Sequence, residues 1–173
     1  MAAFKTTTAA ALALTIALSS HAAAETAADF LRAFDGNWQG TGQSRTNYGS
    51  PYVPAECWID LDWTLQGLRS NGECSGARRT FQAGGMVQAD GADLAGTFLS
   101  PYFASMVWSS PRVEGGNLVV YSALAAGEVV EARIEVTPPR SDGGPRFIEM
   151  RTQVRVDGQF QDVAQIRLVE VGQ

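Results

Sequence analysis

Between Cys57 and Leu65 the chain reads CWIDLDWTL, and apolar and polar residues alternate at almost every step. Cys57, Ile59, Leu61, Trp63 and Leu65 fall on one face of an extended strand, while Trp58, Asp60, Asp62 and Thr64 fall on the other. The same period of two runs through Val130, Ala132, Ile134 and Val136, set against Glu131, Arg133 and Glu135. It returns in RFIEMRTQVRV and QFQDVAQIRLVEV near the C-terminus. Such a period points to antiparallel strands with one dry face and one wet face. Turn signals separate the runs: Asn71-Gly72, Asp90-Gly91, Gly115-Gly116, Asp142-Gly143-Gly144 and Asp157-Gly158.

Many short antiparallel strands fold into a sandwich or a closed barrel. The stretch FDGNWQGTG, Phe34 to Gly42, favours the barrel. It follows one short predicted helix in ETAADFLRAF, where Thr26 is placed as N-cap and Asp29 three residues on completes a loose capping box. Gly36-Asn37-Trp38 resembles the G-x-W signature on the first strand of lipocalins and their calycin relatives. The longer G-x-W-x-G-x-G pattern, Gly36 to Gly42, resembles small bacterial and nitrobindin-like barrels of that superfamily. The resemblance implies an all-β, up-and-down antiparallel barrel of about 8–10 strands with one short N-terminal helix. It also implies that Trp38 plugs the closed end beneath the helix, and that Gly36, Gly40 and Gly42 let the first strand bend and pair on both sides. Nitrobindin-like barrels hold haem through a histidine, and here the only histidine is His21.

His21 lies in a segment read as a leader. Lys5 provides a positive n-region, Ala9 to Leu18 is an apolar run of signal-peptide length, and Ala22-Ala23-Ala24 offers a cleavage site. Residues 1–24 are therefore expected to be a signal peptide and residues 25–173 a single barrel domain. The first cysteine is Cys57, so no lipid attaches at the cleavage point and a periplasmic or secreted product is expected. Cleavage removes Lys5, the only lysine, together with His21, and leaves arginines as the only cations, with a net charge of about −6 against the −5 of the full chain. Such a chain has no basic surplus for nucleic acid and no second apolar segment for stable membrane insertion. Without histidine or lysine it has no Ser-His-Asp or Cys-His centre, no His-containing zinc site and no Schiff base. No enzyme activity, metal or cofactor is expected.

Cys57 and Cys74 form an even pair in an exported chain, which reads as a disulfide. A hairpin turning around Gln66-Gly67 would set the two nearly opposite each other. At the last hairpin the dry faces match best with a three-residue loop, Val156-Asp157-Gly158. That register places Val154 against Phe160, Met150 against Ala164 and Ile148 against Ile166.

The expected function is that of an exported, non-catalytic barrel whose calyx takes a small apolar ligand. Tyr48 and Tyr52 lie on the long loop after the first strand, which in lipocalin-like barrels often lids the mouth. Met106 and Trp108, between two prolines, share a strand face with Ala104, and Trp63 lies on a predicted inner face. Tyr48, Tyr52, Trp63, Met106 and Trp108 are thus the candidate ligand residues. The alternative is a periplasmic interaction module with a filled core, an enzyme inhibitor or envelope-assembly factor whose partner is an envelope protein. Cavity volume separates the two, because a calyx needs several hundred Å³ (of order 300–1,000 Å³). Asp60 and Asp62 share a wet strand face, and Arg78-Arg79 point to opposite faces, so neither pair is read as a catalytic site.

Overall fold

The computed structural model describes residues 26–46, 48–76, 79–99, 107–123 and 131–172. The expected leader, Met106 and Val130 lie outside the described residues. The chain opens with α1 (Ala27–Arg32), in which Thr26 Oγ1 accepts a hydrogen bond from the Asp29 backbone N–H at 3.1 Å, as the capping box requires. Ten strands follow: β1 (Gly36–Ser44), β2 (Val53–Thr64), β3 (Gly67–Gly76), β4 (Arg79–Asp90), β5 (Asp93–Leu99), β6 (Val107–Glu114), β7 (Asn117–Ala123), β8 (Ala132–Val136), β9 (Phe147–Val156) and β10 (Gln159–Val171). Each strand pairs antiparallel with the next in sequence, and β1 also pairs with β10, so the sheet closes into a ten-stranded up-and-down barrel.

Closure falls on β1. Its residues pair with β10 from Asn37↔Val171 to Ser44↔Ala164, and with β2 from Gly36↔Leu61 to Ser44↔Val53. The backbones approach so closely that a Cβ on Gly40 would stand 1.9 Å from the Arg167 carbonyl oxygen, and one on Gly42 would stand 2.0 Å from that of Gln165. Only glycine fits at these two positions, which accounts for the spacing of the opening motif.

The disulfide is present, and Cys57 and Cys74 are direct partners in the β2–β3 hairpin with a Cα separation of 4.1 Å. Both are buried, as are Ile59 on one strand and Leu68 on the other. Leu65, expected on the dry face, instead occupies the two-residue turn with Gln66 and is fully exposed. Asn71-Gly72 is not a turn. Gly72 sits in mid-strand, where a Cβ would meet the Trp58 carbonyl oxygen at 2.3 Å. The chain reverses at Leu65-Gln66, one residue before the expected Gln66-Gly67, so Gly72 serves close strand approach rather than chain reversal.

The last hairpin corrects the expected register. Asp157 and Gly158 have φ of 50° and 80°, and they form a two-residue turn that pairs Val156 with Gln159, Arg155 with Phe160 and Val154 with Gln161. A bulge between Asp162 and Ala164 then shifts β10, so that Ala164 meets Thr152, Ile166 meets Met150 and Leu168 meets Ile148. The Asp-Gly pair favours the tight turn, and the bulge absorbs the one-residue mismatch with the apolar face. Val163 and Ala164 are both buried as a result. Phe160 falls opposite exposed Arg155, edge-on to Tyr121 at 6.3 Å and beneath the Arg133 guanidinium at 4.3 Å.

Unreduced protein is expected to show no alkylatable thiol by intact mass, and two such thiols would refute the bridge. Replacing both cysteines with alanine is expected to lower stability in urea melts by roughly 3 kcal/mol.

Candidate functional site

The two barrel ends differ in chemistry. At one end, α1 packs against β3 and β4. Phe30 and Leu31 from the helix, with Phe34 just beyond it, are buried in the same cluster as Trp38. Trp38 lies at the start of β1, and its indole N–H donates to the Phe34 carbonyl at 2.9 Å, which satisfies the one polar atom of the plug. Arg146, between the Pro138–Pro145 connection and β9, locks this arrangement from outside. It donates to the carbonyls of Ala33 at 3.0 Å and Asp35 at 3.1 Å, and its Nε donates to Glu170 at 2.7 Å. Its guanidinium carbon also stands 5.5 Å from the centre of the Trp38 ring. The hydrogen bonds from Arg146 hold the Glu170 carboxyl below its ordinary range, outweighing the opposing effect of burial. Sequence reading missed Arg146, because no local pattern distinguishes it from the other arginines and its partners lie 24 and more than 100 residues away.

Behind the plug lies an interior cavity of about 50 Å³. Its walls include Phe34, Leu61, Leu118, Ile134, Met150 and Leu168, with Ser70 as the one polar side chain. This is about a third of the roughly 150 Å³ that admits a benzene-sized molecule in an apolar protein interior.

The five candidate ligand residues do not converge. Tyr48 and Tyr52 flank the Arg45 guanidinium at 4.8 and 4.7 Å, and are 50% and 38% exposed. Tyr52 donates to the Asp162 carbonyl at 2.8 Å, and the Arg45 backbone N–H donates to the Val163 carbonyl at 2.9 Å, so this loop is tied to the β10 bulge. Trp63 belongs to the opposite, helix end. Its backbone N–H donates to the Asp35 carboxylate at 2.7 Å, and Arg32 stands 5.2 Å from its ring centre. Trp108 is placed in β6 by its pairing with Phe98 and Ser122, and Met106 lies outside the described residues. A ligand touching Tyr48 and Tyr52 therefore could not also contact Trp63 across the barrel's length.

The outer wall carries a feature that the ligand reading passed over. Trp58 is 42% exposed on the wet face of β2. It faces Gln39 on one side and Glu73 on the other, and lines a groove of about 250 Å³ with Glu56, Thr41 and Ser75. Glu73 accepts a hydrogen bond from Gln82 at 2.8 Å. The alternation already put this indole among acids, and that was the signal available in the sequence. Asp62, two positions beyond Asp60, is ion-paired with Arg69 at 2.7 Å. Among the described residues, no group of three acidic, cysteine or histidine side chains could hold a metal ion, and no helix is long and apolar enough to cross a membrane.

No protein-family model matches the chain, and no curated protein matches it.

Trp38→Ala is expected to destabilise the barrel by about 3–5 kcal/mol in denaturant melts, through lost burial and a cavity. A change below about 1 kcal/mol would remove the plug from the account. The Arg146–Glu170 pair predicts an acid dependence. Because the folded carboxyl titrates below its unfolded value of roughly 4.3, its stabilisation is complete above that pH and is lost as pH falls through the lower folded value. Glu170→Gln should flatten that acid limb in melts across pH 3–6 (about the carboxylate range), and an unchanged slope would discard the latch.

Proposed function

We propose that this chain is a non-catalytic binding barrel that works outside the cytoplasm and engages its partner through the outer wall. The observation that carries this reading is the contrast between the two sides of the sheet. An indole stands 42% exposed in an outer groove of about 250 Å³, whereas the cavity enclosed by the described residues is about 50 Å³. Ligand pockets for drug-sized molecules run from about 300 to 1,000 Å³. The buried disulfide is compatible with an oxidising compartment.

Kinship with calycin barrels belongs to the same proposal. It is supported by Trp38 sealed beneath α1, by the glycines at the β1–β10 contact and by closure of an up-and-down sheet. The absence of histidine beyond His21 supports a barrel without haem ligation.

A second reading, an apolar ligand in the calyx, draws support from the lining of the interior cavity, which is apolar apart from Ser70. Titration of a fluorescent fatty-acid analogue and a set of smaller apolar dyes into folded, oxidised protein separates the two. The outer-wall reading expects no saturable uptake. Stoichiometric uptake that is insensitive to salt would replace it with the calyx reading, because burial of apolar surface would then drive binding.

A further inference from the structure

We propose that the Trp58 groove receives an arginine side chain presented by a partner protein. This rests on the outer-wall reading above and names the chemistry of the partner. Trp58 has Glu56 and Asp60 two positions away on its own strand, about 7 Å along the backbone. Glu73 is its direct neighbour on β3, about 5 Å across the ladder. Three carboxylates therefore share the wet face with one exposed indole, and two of them, Glu56 and Glu73, line its groove.

Elsewhere on the barrel eight acids are matched, while Asp35, Asp90, Asp93, Asp157 and Asp162 form no ion pair with an arginine among the described residues. Asp29, Asp62, Glu114, Glu131, Glu135, Asp142, Glu149 and Glu170 each pair with an arginine. Among the described residues, Glu56, Asp60 and Glu73 form no such pair, and the nearby Arg69 is engaged by Asp62. The barrel itself shows what matches its aromatic rings. Arg167 lies 3.7 Å from the centre of the Phe147 ring, Arg112 lies 4.2 Å from that of Tyr121, and Arg133 lies 4.3 Å from that of Phe160. Arg112 and Arg133 are at the same time ion-paired with Glu114 and Glu135. The ring-plus-carboxylate arrangement around Trp58 has the same components, with no arginine paired to it among the described residues.

The chemistry favours guanidinium over other cations. A quaternary ammonium ion has no N–H to offer a carboxylate and is held by a cage of several rings. Here one ring stands beside carboxylates, which suits a planar group that stacks and donates a fork of hydrogen bonds at once. The groove is open along the sheet, so a side chain on an extended segment of another protein can reach it.

The test is a titration of the uniformly ¹⁵N-labelled, oxidised protein with a capped Gly-Arg-Gly-Arg-Gly peptide, following the Trp58 indole N–H. The same peptide with citrulline in place of arginine, and tetramethylammonium chloride, serve as comparisons. Saturable shifts centred on Trp58, Glu56 and Glu73 are expected with the arginine peptide alone. Trp58→Ala should weaken binding at least tenfold, and Glu56→Gln with Glu73→Gln about fivefold. Glu73→Gln alters an exposed hydrogen bond from Gln82 and Trp58→Ala uncovers a part-buried ring, so thermal melts check that each variant is folded. Should Trp58→Ala fail that check, the glutamine pair decides by itself. Absence of saturable shifts, equal response to citrulline or tetramethylammonium, or unchanged affinity in the folded variants would overturn the proposal. If the peptide fails and the apolar dyes are also refused, only the arginine assignment falls. Saturable dye uptake would remove the outer-wall reading itself.

Discussion

An open β-sheet leaves a row of unpaired N–H and C=O groups on each edge, and this barrel removes both rows with a single strand. β1 pairs with β2 on one side and β10 on the other along nearly its whole length. That double pairing requires a backbone approach at Gly40 and Gly42 that no larger residue allows, since a Cβ would stand about 2 Å from a carbonyl oxygen. Closure then divides every strand into an inward and an outward row, and the remaining structure follows from filling the first and solvating the second.

Filling the inward row is a problem of ends. A closed sheet leaves its ends open, and α1 covers one of them only because Trp38 and Phe34 give it an apolar seat. The helix is too short to hold itself in place by its own hydrogen bonds. Arg146 supplies the missing restraint by bonding the carbonyls that follow the helix and anchoring them to Glu170 on β10. The first and last strands, already joined by the ladder, are thereby joined again through the cap.

Solvating the outward row produces matched pairs of arginine and carboxylate over β6 to β10, several stacked on aromatic rings. On the β2–β3 wall Asp62 pairs with Arg69, whereas the Trp58 indole is exposed and Glu56, Asp60 and Glu73 form no ion pair among the described residues. In a chain whose positive charges are almost all guanidinium, the exposed indole beside Glu56 and Glu73 marks a local concentration of negative charge on the surface.

Alternation in CWIDLDWTL determined which residues of β2 face inward and brought Cys57 and Cys74 nearly opposite across one hairpin, while the structure moved the turn from Gln66-Gly67 to Leu65-Gln66 and so made them direct partners. Thr26 and Asp29 determined the helix start through purely local hydrogen bonds, and the Gly36–Gly42 spacing marked the closing strand. Tertiary structure alone decided the rest. Period two specifies a face but not a position along the barrel axis, so Trp63 and the Tyr48–Tyr52 loop, both read as ligand contacts, lie at opposite ends. Nor can alternation anticipate a bulge: the apolar face predicted a three-residue last loop, while the turn chemistry of Asp157-Gly158 set a two-residue one and Val163 absorbed the difference. Gly72 and Arg146 were illegible for the same reason. Their roles depend on backbone atoms brought near them only when the sheet closes.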